Sequence, residues 1–430
     1  MTIGLWTLVL AVLVGGVLRL PLALVMFAGG ASYLFVTRQD IGLLVGQVMS
    51  QMTAMYVLVA IPMFILAANV MNAAGISDRL WAAANVLVGR FRGGMGHVTV
   101  LASMIFSGIS GSAVTDAAGP GIVAMRMMRD IGKYPAGLAA AITASSATIA
   151  PIIPPSIPLV IYALLSGASI GALFLAGIVP GILMGGALMI AIRIIAGRRN
   201  IGAGEIVPLR EAPRIFGRAA LSFSLPVVLL GGIFSGIFTP TEAAAVAAFW
   251  ALMLGTVVYR QITPPVFQGV LLETARQSAT TMLLIASAFI LNYAIANERL
   301  AESLVAWITA MQLTPMQFML AVNVFFLVLG CFLDGAVMML VFVPLLIPSA
   351  KTLGIDLTYF GIIVTLNFMI GLITPPYGLL LFVMAALTRV PLVAIIREIV
   401  PFVATLTLLL LVLTYFPAIT LFLPRAFGYQ

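Results

Sequence analysis

Two clusters of oxygen-bearing residues carry what chemistry this chain has to offer. In the first half, Ser107, Ser110 and Ser112 alternate with glycines in the run SGISGS. Further on, Ser145, Ser146 and Thr148 precede Pro151, Pro154 and Pro155 in ASSATIAPIIPPSIPLVIYA, residues 144–163. In the second half, Asp334 and Gly335 close the run GCFLDG, and Asn367 leads into Gly371, Thr374, Pro375 and Pro376 in NFMIGLITPP. Sodium is a hard cation that takes oxygen ligands. Hydroxyls supply them, and so do backbone carbonyls released where proline interrupts a helix. One sodium site is expected from Ser107, Ser110 and Ser112 with the carbonyls at Ile152 and Pro154. A second is expected from Asp334, Gly335, Gly371 and Thr374. Half-helix N-termini present free N–H donors to anions. Pro155–Ser156 and Pro375–Pro376 open two of them, so an anionic substrate is expected there, with Ser145, Ser146, Thr148 and Asn367 as the nearest polar side chains. No lysine or arginine lies in these motifs, so a carboxylate would be held by backbone and hydroxyl donors or by bound sodium. Asp116, Glu242 and Asp334 are carboxylates in apolar surroundings and candidates for gating or coupling. Helix capping is the other role open to them.

The elements that must position these residues are membrane helices. Of the 430 residues, 63% are hydrophobic and only 8% charged, where a soluble domain carries roughly 25% charge. Mean hydropathy is +1.21. Apolar stretches of helix-spanning length recur throughout, which predicts an all-α polytopic membrane protein. The N-terminus has no basic n-region and no small-residue cleavage site, and reads as a retained helix. One cysteine, Cys331, and one histidine, His97, exclude disulfides and leave no material for a Cys/His metal centre or a catalytic triad. The chain is therefore not expected to be an enzyme or to hold a cofactor, and sodium is the only metal expected. The net charge of +8 lies in short loops, where it orients helices in the bilayer and does not point to nucleic acid.

The apolar segments fall in order at residues 3–18 and 21–36, which are two helices or one bent one, and then at 52–73. Residues 77–92 are amphipathic and interfacial, with Ser77 as N-cap. Residues 95–125 have basic flanks on both sides: Arg90 and Arg92 before, Arg126, Arg129 and Lys133 after. Both ends are then cytoplasmic, so the segment is expected to be a re-entrant hairpin with SGISGS at its tip. A broken helix at 134–165 and a span at 168–196 follow. Residues 197–218 form the most basic loop and join the halves. The second half repeats the plan, with spans at 219–237, 241–258 and 278–296 and an amphipathic stretch at 299–313. A hairpin at 317–350, a broken helix at 358–386 and a last span at 393–423 complete it. Arg19 and Arg389 are placed on the inside by the same rule.

Pro155 and Pro376 stand 221 positions apart, and so do Pro180 and Pro401. Two coincident breaks indicate duplication. Each half crosses the membrane five times, an odd number, so repeats 1–196 and 219–430 are inverted. Inverted repeats with broken helices are the pattern of a secondary transporter. No Walker A sequence occurs, so an ion gradient must drive it. Moving one charge is worth about 2.3 kcal/mol per 100 mV. A monoanion entering a negative interior therefore needs at least two sodium ions, and two sites meet that minimum.

Several segments make the chain similar to a known family. They are AIPMFILAANVMNAAGISDRL (60–80), ASMIFSGISGSAVTDAAG (102–119), LFLAGIVPGILMG (173–185), GIFTPTEAAAVAAFWALMLG (236–255), FLDGAVMMLVFVPLLIP (332–348) and NFMIGLITPPYGLLLFV (367–383), together with the first proline-broken run. The chain resembles the DctM-like large membrane subunit of tripartite ATP-independent periplasmic (TRAP) transporters. The resemblance implies a bacterial inner-membrane location and two partners: a small membrane subunit of about four helices and a periplasmic substrate-binding protein. It implies import of an organic anion, a carboxylate or sialic acid, with sodium. It also implies a fold similar to divalent-anion/sodium symporters and an elevator motion of 95–196 with 317–424 against the rest. One departure is Asp116-Ala117-Ala118-Gly119-Pro120-Gly121, where the family more often reads DAAALG. A stand-alone sodium/carboxylate symporter is the competing expectation. An anchoring subunit that moves nothing would have no need of interrupted helices.

Overall fold

The computed structural model describes every residue except Met1, Arg19, Glu205, Ile206, Leu209, Asp334 and Gln430, and leaves out the side chains of Val17, Ser77 and Arg218. The described residues are helical almost throughout, with one isolated bridge between Arg92 and Ala203. The N-terminal segment is two helices, α1 (Ile3–Val17) and α2 (Leu22–Val36). They lie antiparallel, because Gly4 abuts Tyr33 while Gly15 abuts Val25. A helix not anticipated from the sequence follows, α3 (Gly42–Ala54), which buries none of its residues. A 3₁₀ turn at Tyr56–Val59 leads into α4 (Ala60–Ala73), so the span expected from residue 52 starts at Tyr56. The amphipathic helix α5 (Ile76–Val88) is opened by Gly75 at φ 65° and not by Ser77, since only a residue free of a Cβ enters that left-handed conformation cheaply.

The first hairpin consists of α6 (Gly94–Ser110), α7 (Ala113–Ala118) and α8 (Pro120–Asp130), with α6 packed on α8. Its returning limb is cut at Gly119–Pro120, within the Asp116–Gly121 run singled out in the sequence. The broken helix is α9 (Ala136–Ala147) and α10 (Ile157–Ser166), followed by the long α11 (Ile170–Arg198). The linker is shorter than expected. Helix α12 (Ala212–Phe234) already contains Arg214, because Pro213 at its first turn starts a helix well. Next come α13 (Pro240–Met253), which runs into a π turn at Leu254–Val258, and α14 (Pro264–Asn297). At 34 residues α14 is far longer than the span read from sequence. It measures about 51 Å against a hydrocarbon core of about 30 Å. Helix α15 (Leu300–Ala310) lies beside the second hairpin, α16 (Pro315–Gly330) and α17 (Gly335–Thr352). The second broken helix is α18 (Leu357–Gly371) and α19 (Leu379–Thr388). The last span, α20 (Leu392–Tyr415), ends earlier than expected, and Pro417 starts a separate α21 (Pro417–Ala426).

The two halves keep register. Helices α6 and α16 start 221 residues apart, as do α9 and α18; α10 and α19, and α11 and α20, start 222 apart. A buried polar pair ties each hairpin to its broken helix. Ser103 donates to Ser146 at 3.3 Å in the first half, and Asn367 donates to Asn323 at 2.8 Å in the second. The halves also interlock. Gly137 of α9 fits against the Ala394 carbonyl of α20, and the Tyr162 hydroxyl of α10 donates to the Leu357 carbonyl at 2.7 Å. A second group forms where α2, α4, α13 and α14 pack together and α12 joins α13 and α5; it meets the hairpins through α5 on α6 and α14 on α17.

Candidate substrate and ion site

Each break is a short non-helical segment; the first lies inside the molecule, whereas Pro376 and Tyr377 of the second are exposed. Ile149, Ile152, Pro154 and Pro155 are buried, and the Pro154–Pro155 and Pro375–Pro376 peptides are both cis. Ser156 restarts the helix. Its hydroxyl accepts from the Leu159 amide at 3.2 Å and donates to the Pro151 carbonyl, so it spans the break as an N-cap. The hairpin tips close against these breaks. A Cβ on Gly111 would come within 2.4 Å of the Pro155 carbonyl, and Gly330 and Gly371 meet backbone to backbone. Gly111 also has φ 58°, so two independent constraints require glycine at this tip.

A cavity of about 520 Å³ opens beside the tips. Ser110, Ser112 and Thr115 line it from the first hairpin, Ile157 and Ile161 from α10, and Ala336 and Leu340 from α17. Its opposite wall is α14, with Arg276, Gln277, Thr280 and Thr281, and α4 adds Ile65 and Ala68. A smaller space of about 200 Å³ adjoins it and shares Ser112, Thr281 and Ala336. It reaches Gly111, Pro151, Gly335 and Leu372, so both hairpin tips and both breaks meet there. Arg276 is exposed, with Glu273 at 3.8 Å as its ion-pair partner.

The expected site residues separate into three groups. Ser110, Ser112 and Gly335 reach the cavity. Ser110 is buried and its hydroxyl has no hydrogen-bond partner, whereas Ser112 caps α7 by accepting from Thr115 N at 3.4 Å. A second group lies behind the wall. Ser107, Ser145, Ser146, Thr148 and Thr374 each donate to a carbonyl three or four residues back in the chain. The Ile152 carbonyl is pressed against Gly177 of α11, and the Pro154 carbonyl lies near Gly108. Asn367 is buried in a chain of hydrogen bonds through Asn323 to Thr414, with its own Oδ1 left without a partner. Pro375 and Pro376 are also absent from the lining of the two spaces. The third group is the acids. Asp116 is completely buried with neither carboxylate oxygen hydrogen-bonded. Glu242 closes a capping box, accepting from the Thr239 amide and hydroxyl at 2.8 Å each, and does not line the cavity. Asp334 lies outside the described residues.

Sequence reasoning missed Arg276, Gln277, Thr280 and Thr281. Their spacing puts them on one helical face just ahead of an apolar run, a signal that was there to be read. Reading the span only from residue 278 cut that face in two.

Six helices among the described residues are long and apolar enough to cross a membrane. The chain matches the family described as tripartite ATP-independent periplasmic transporter, DctM component, over residues 7–419. It is 41% identical over 375 residues to the sialic acid TRAP transporter large permease protein SiaM of Vibrio cholerae, covering 87% of this chain and 88% of that one. It is 40% identical over 373 residues to the C4-dicarboxylate TRAP transporter large permease protein DctM of Pseudomonas aeruginosa, covering 87% of each. In fold it is similar to the Alcanivorax borkumensis YdaH transporter, with a TM-score of 0.61 over 96% of this chain and 97% of that one at 16% identity. A proline-broken, all-helical chain with this match along nearly its whole length is a multi-pass protein of the bacterial inner membrane, and it belongs to the TRAP transporter DctM family of large permease subunits.

Proposed function

We propose that this chain carries an organic anion into the cell with sodium, by an elevator motion. It would receive the anion from a periplasmic binding protein and work beside a small membrane subunit. The observation that carries this reading is the cavity between the two hairpin tips and α14, with hydroxyls on one wall and the Arg276 guanidinium on the other. Relatives named for sialic acid and for a C4-dicarboxylate both handle organic acids. A guanidinium pairs with a carboxylate in fixed planar geometry. On arrival the substrate carboxylate would compete with Glu273 for Arg276.

The ion sites follow the tips. Ser110 Oγ and Asn367 Oδ1 are buried oxygens with no partner, the kind of ligand a dehydrated sodium ion requires. Two sodium ions per monoanion leave net positive charge moving inward, so the membrane potential assists uptake. The moving body would be residues 95–196 with 317–424, which interlock through α9–α20 and α10–α18. The α2–α4–α13–α14 group would stay fixed.

The test is uptake into proteoliposomes holding this chain and its small partner under an inward sodium gradient. Sialic acid and succinate would be offered with and without the binding protein. Uptake that requires both sodium and the binding protein supports the proposal. Uptake without any binding protein would make this a stand-alone symporter, and indifference to sodium would remove the ion assignment.

A further inference from the structure

Three segments join the helices that would move to those that would stay. They are residues 89–93 between α5 and α6, 199–211 between α11 and α12, and 311–314 between α15 and α16. The first two are clasped to each other. The Gly93 amide donates to the Gly202 carbonyl and the Gly204 amide to the Gly89 carbonyl, each at 2.9 Å. Arg92 and Ala203 form the bridge between them, and the Arg92 guanidinium donates to Asn200 Oδ1 at 2.9 Å. The backbone of the third segment bonds, among the described residues, only to its neighbours in sequence.

The clasp is tight and anchored. A Cβ on Gly94 would strike the Gly89 carbonyl and the Gly204 amide, and Gly93 has φ 78°. The Tyr134 hydroxyl, just ahead of α9, donates to the Gly93 carbonyl at 2.9 Å. The Ile201 amide donates to the Ala196 carbonyl of α11 at 3.0 Å. Gly89 caps α5, whereas Gly93 leads into α6, so the clasp stands where the two groups meet. Five residues fully extended reach about 17 Å, enough for a loose tether. A closed clasp removes that slack. Opening it would strip partners from backbone groups of the buried Gly89 and Gly93, a state that proteins avoid.

Building on the elevator motion proposed above, we infer that this clasp is the pivot of the moving body. It stays closed throughout transport, so the α5–α6 turn and the α11–α12 linker swing as one. The unclasped third connection takes up the displacement.

Arg92 and Ala203 are exposed and stand opposite each other, at a spacing that a disulfide can bridge. The experiment uses the full chain carrying Arg92→Cys, Ala203→Cys and Cys331→Ser, with its two partners, in proteoliposomes offered sialic acid and succinate. Oxidised protein should link readily and take up substrate at the rate of the reduced protein. Loss of uptake on linking, recovered on reduction, would overturn the pivot, and so would failure of the folded protein to link. A link between the two groups, at positions 234 and 427, should instead stop uptake. If it does not, the elevator motion falls and the pivot with it. If both links stop uptake, only the pivot falls. Hydrogen exchange gives a readout that needs no substrate. Peptides over 89–95 and 200–206 should stay protected with and without sodium, and rapid exchange in either condition would overturn the closed clasp. Gly94→Ala should speed that exchange and lose most uptake. Gly204→Ala should be milder, because its methyl first meets the movable end of Met95. Thermal melting confirms that both fold, and full uptake by a folded Gly94→Ala variant would also overturn the pivot.

Discussion

On the proposed function, two side chains at the cavity would separate ion binding from anion binding. Ser110 offers a buried hydroxyl with no partner, and removing it deletes one ligand without leaving a new gap of any size. Ser110→Ala should weaken sodium activation about tenfold, since a single hydrogen-bond-strength contact is worth about 1 kcal/mol or slightly more. Maximal uptake at saturating sodium should hold. A sodium titration at fixed substrate reads this directly, and an unchanged midpoint would remove Ser110 from the ion site. Arg276 should act on the other axis. Arg276→Gln should raise the apparent KM for the anion by about tenfold to a hundredfold, the range for a charge-assisted pair, and leave the sodium midpoint in place. Arg276→Lys should recover only part of the loss, because an ammonium lacks the planar fork. The legibility of the site differs in the same way. The oxygen clusters were visible because serine and glycine are unusual between apolar runs. Which hydroxyls would be free was not visible. Ser145, Ser146 and Thr148 return their protons to carbonyls of their own helix, as such residues commonly do in apolar helices, and this depends on rotamer and not on residue type.

The breaks and tips are where elements constrain one another. Pro154–Pro155 and Pro375–Pro376 could be read without a structure because two adjacent prolines remove two donors and crowd the preceding turn, whereas single prolines such as Pro180 and Pro401 stay inside helices. Helix α3 could not, since it buries no face and so leaves no periodic imprint. The close approach of each tip to its break was also invisible, because it depends on glycines far apart in sequence. That approach gives a prediction that separates strain from crowding. Gly111 and Gly167 both have positive φ, at 58° and 74°. A Cβ on Gly167 would meet nothing within 4 Å, whereas on Gly111 it would strike the Pro155 carbonyl. Gly167→Ala should cost about 1–2 kcal/mol, the left-handed penalty alone. Gly111→Ala should cost clearly more and should also impair sodium activation, because the tip must move off the break. Melting curves of the two variants in the same detergent test this, and equal losses would mean that the tip is free to shift.

Across the whole molecule, the 221-residue offset between the two proline pairs was legible in the sequence, and helix starts 221 and 222 residues apart follow it. Which helices pack into one body was not legible, because lipid-facing and protein-facing apolar residues look alike in sequence when the solvent is hydrocarbon. Packing suggests a specific lock. Phe427, just after α21, stacks obliquely on Phe234 at the end of α12, with ring centroids 5.8 Å apart. Helix α21 rests on α11 and α18, whereas α12 joins α13 and α5. If α21, with the Phe427 that follows it, travels with α11 and α18 as one body against α12, this contact must open in every cycle. Cysteines at positions 234 and 427, with Cys331 replaced by serine, should be joined by a short bifunctional thiol reagent. Linked protein should lose nearly all uptake, and a reducible linker should restore it on reduction. A pair within one hairpin of the proposed moving body, at Phe325 and Phe342 with ring centroids 5.3 Å apart, provides the control, because linking two elements that travel together should leave uptake intact. Full transport by the 234–427 linked protein would mean that the two helix groups do not slide past each other, and that substrate crosses by local movement of the hairpin tips.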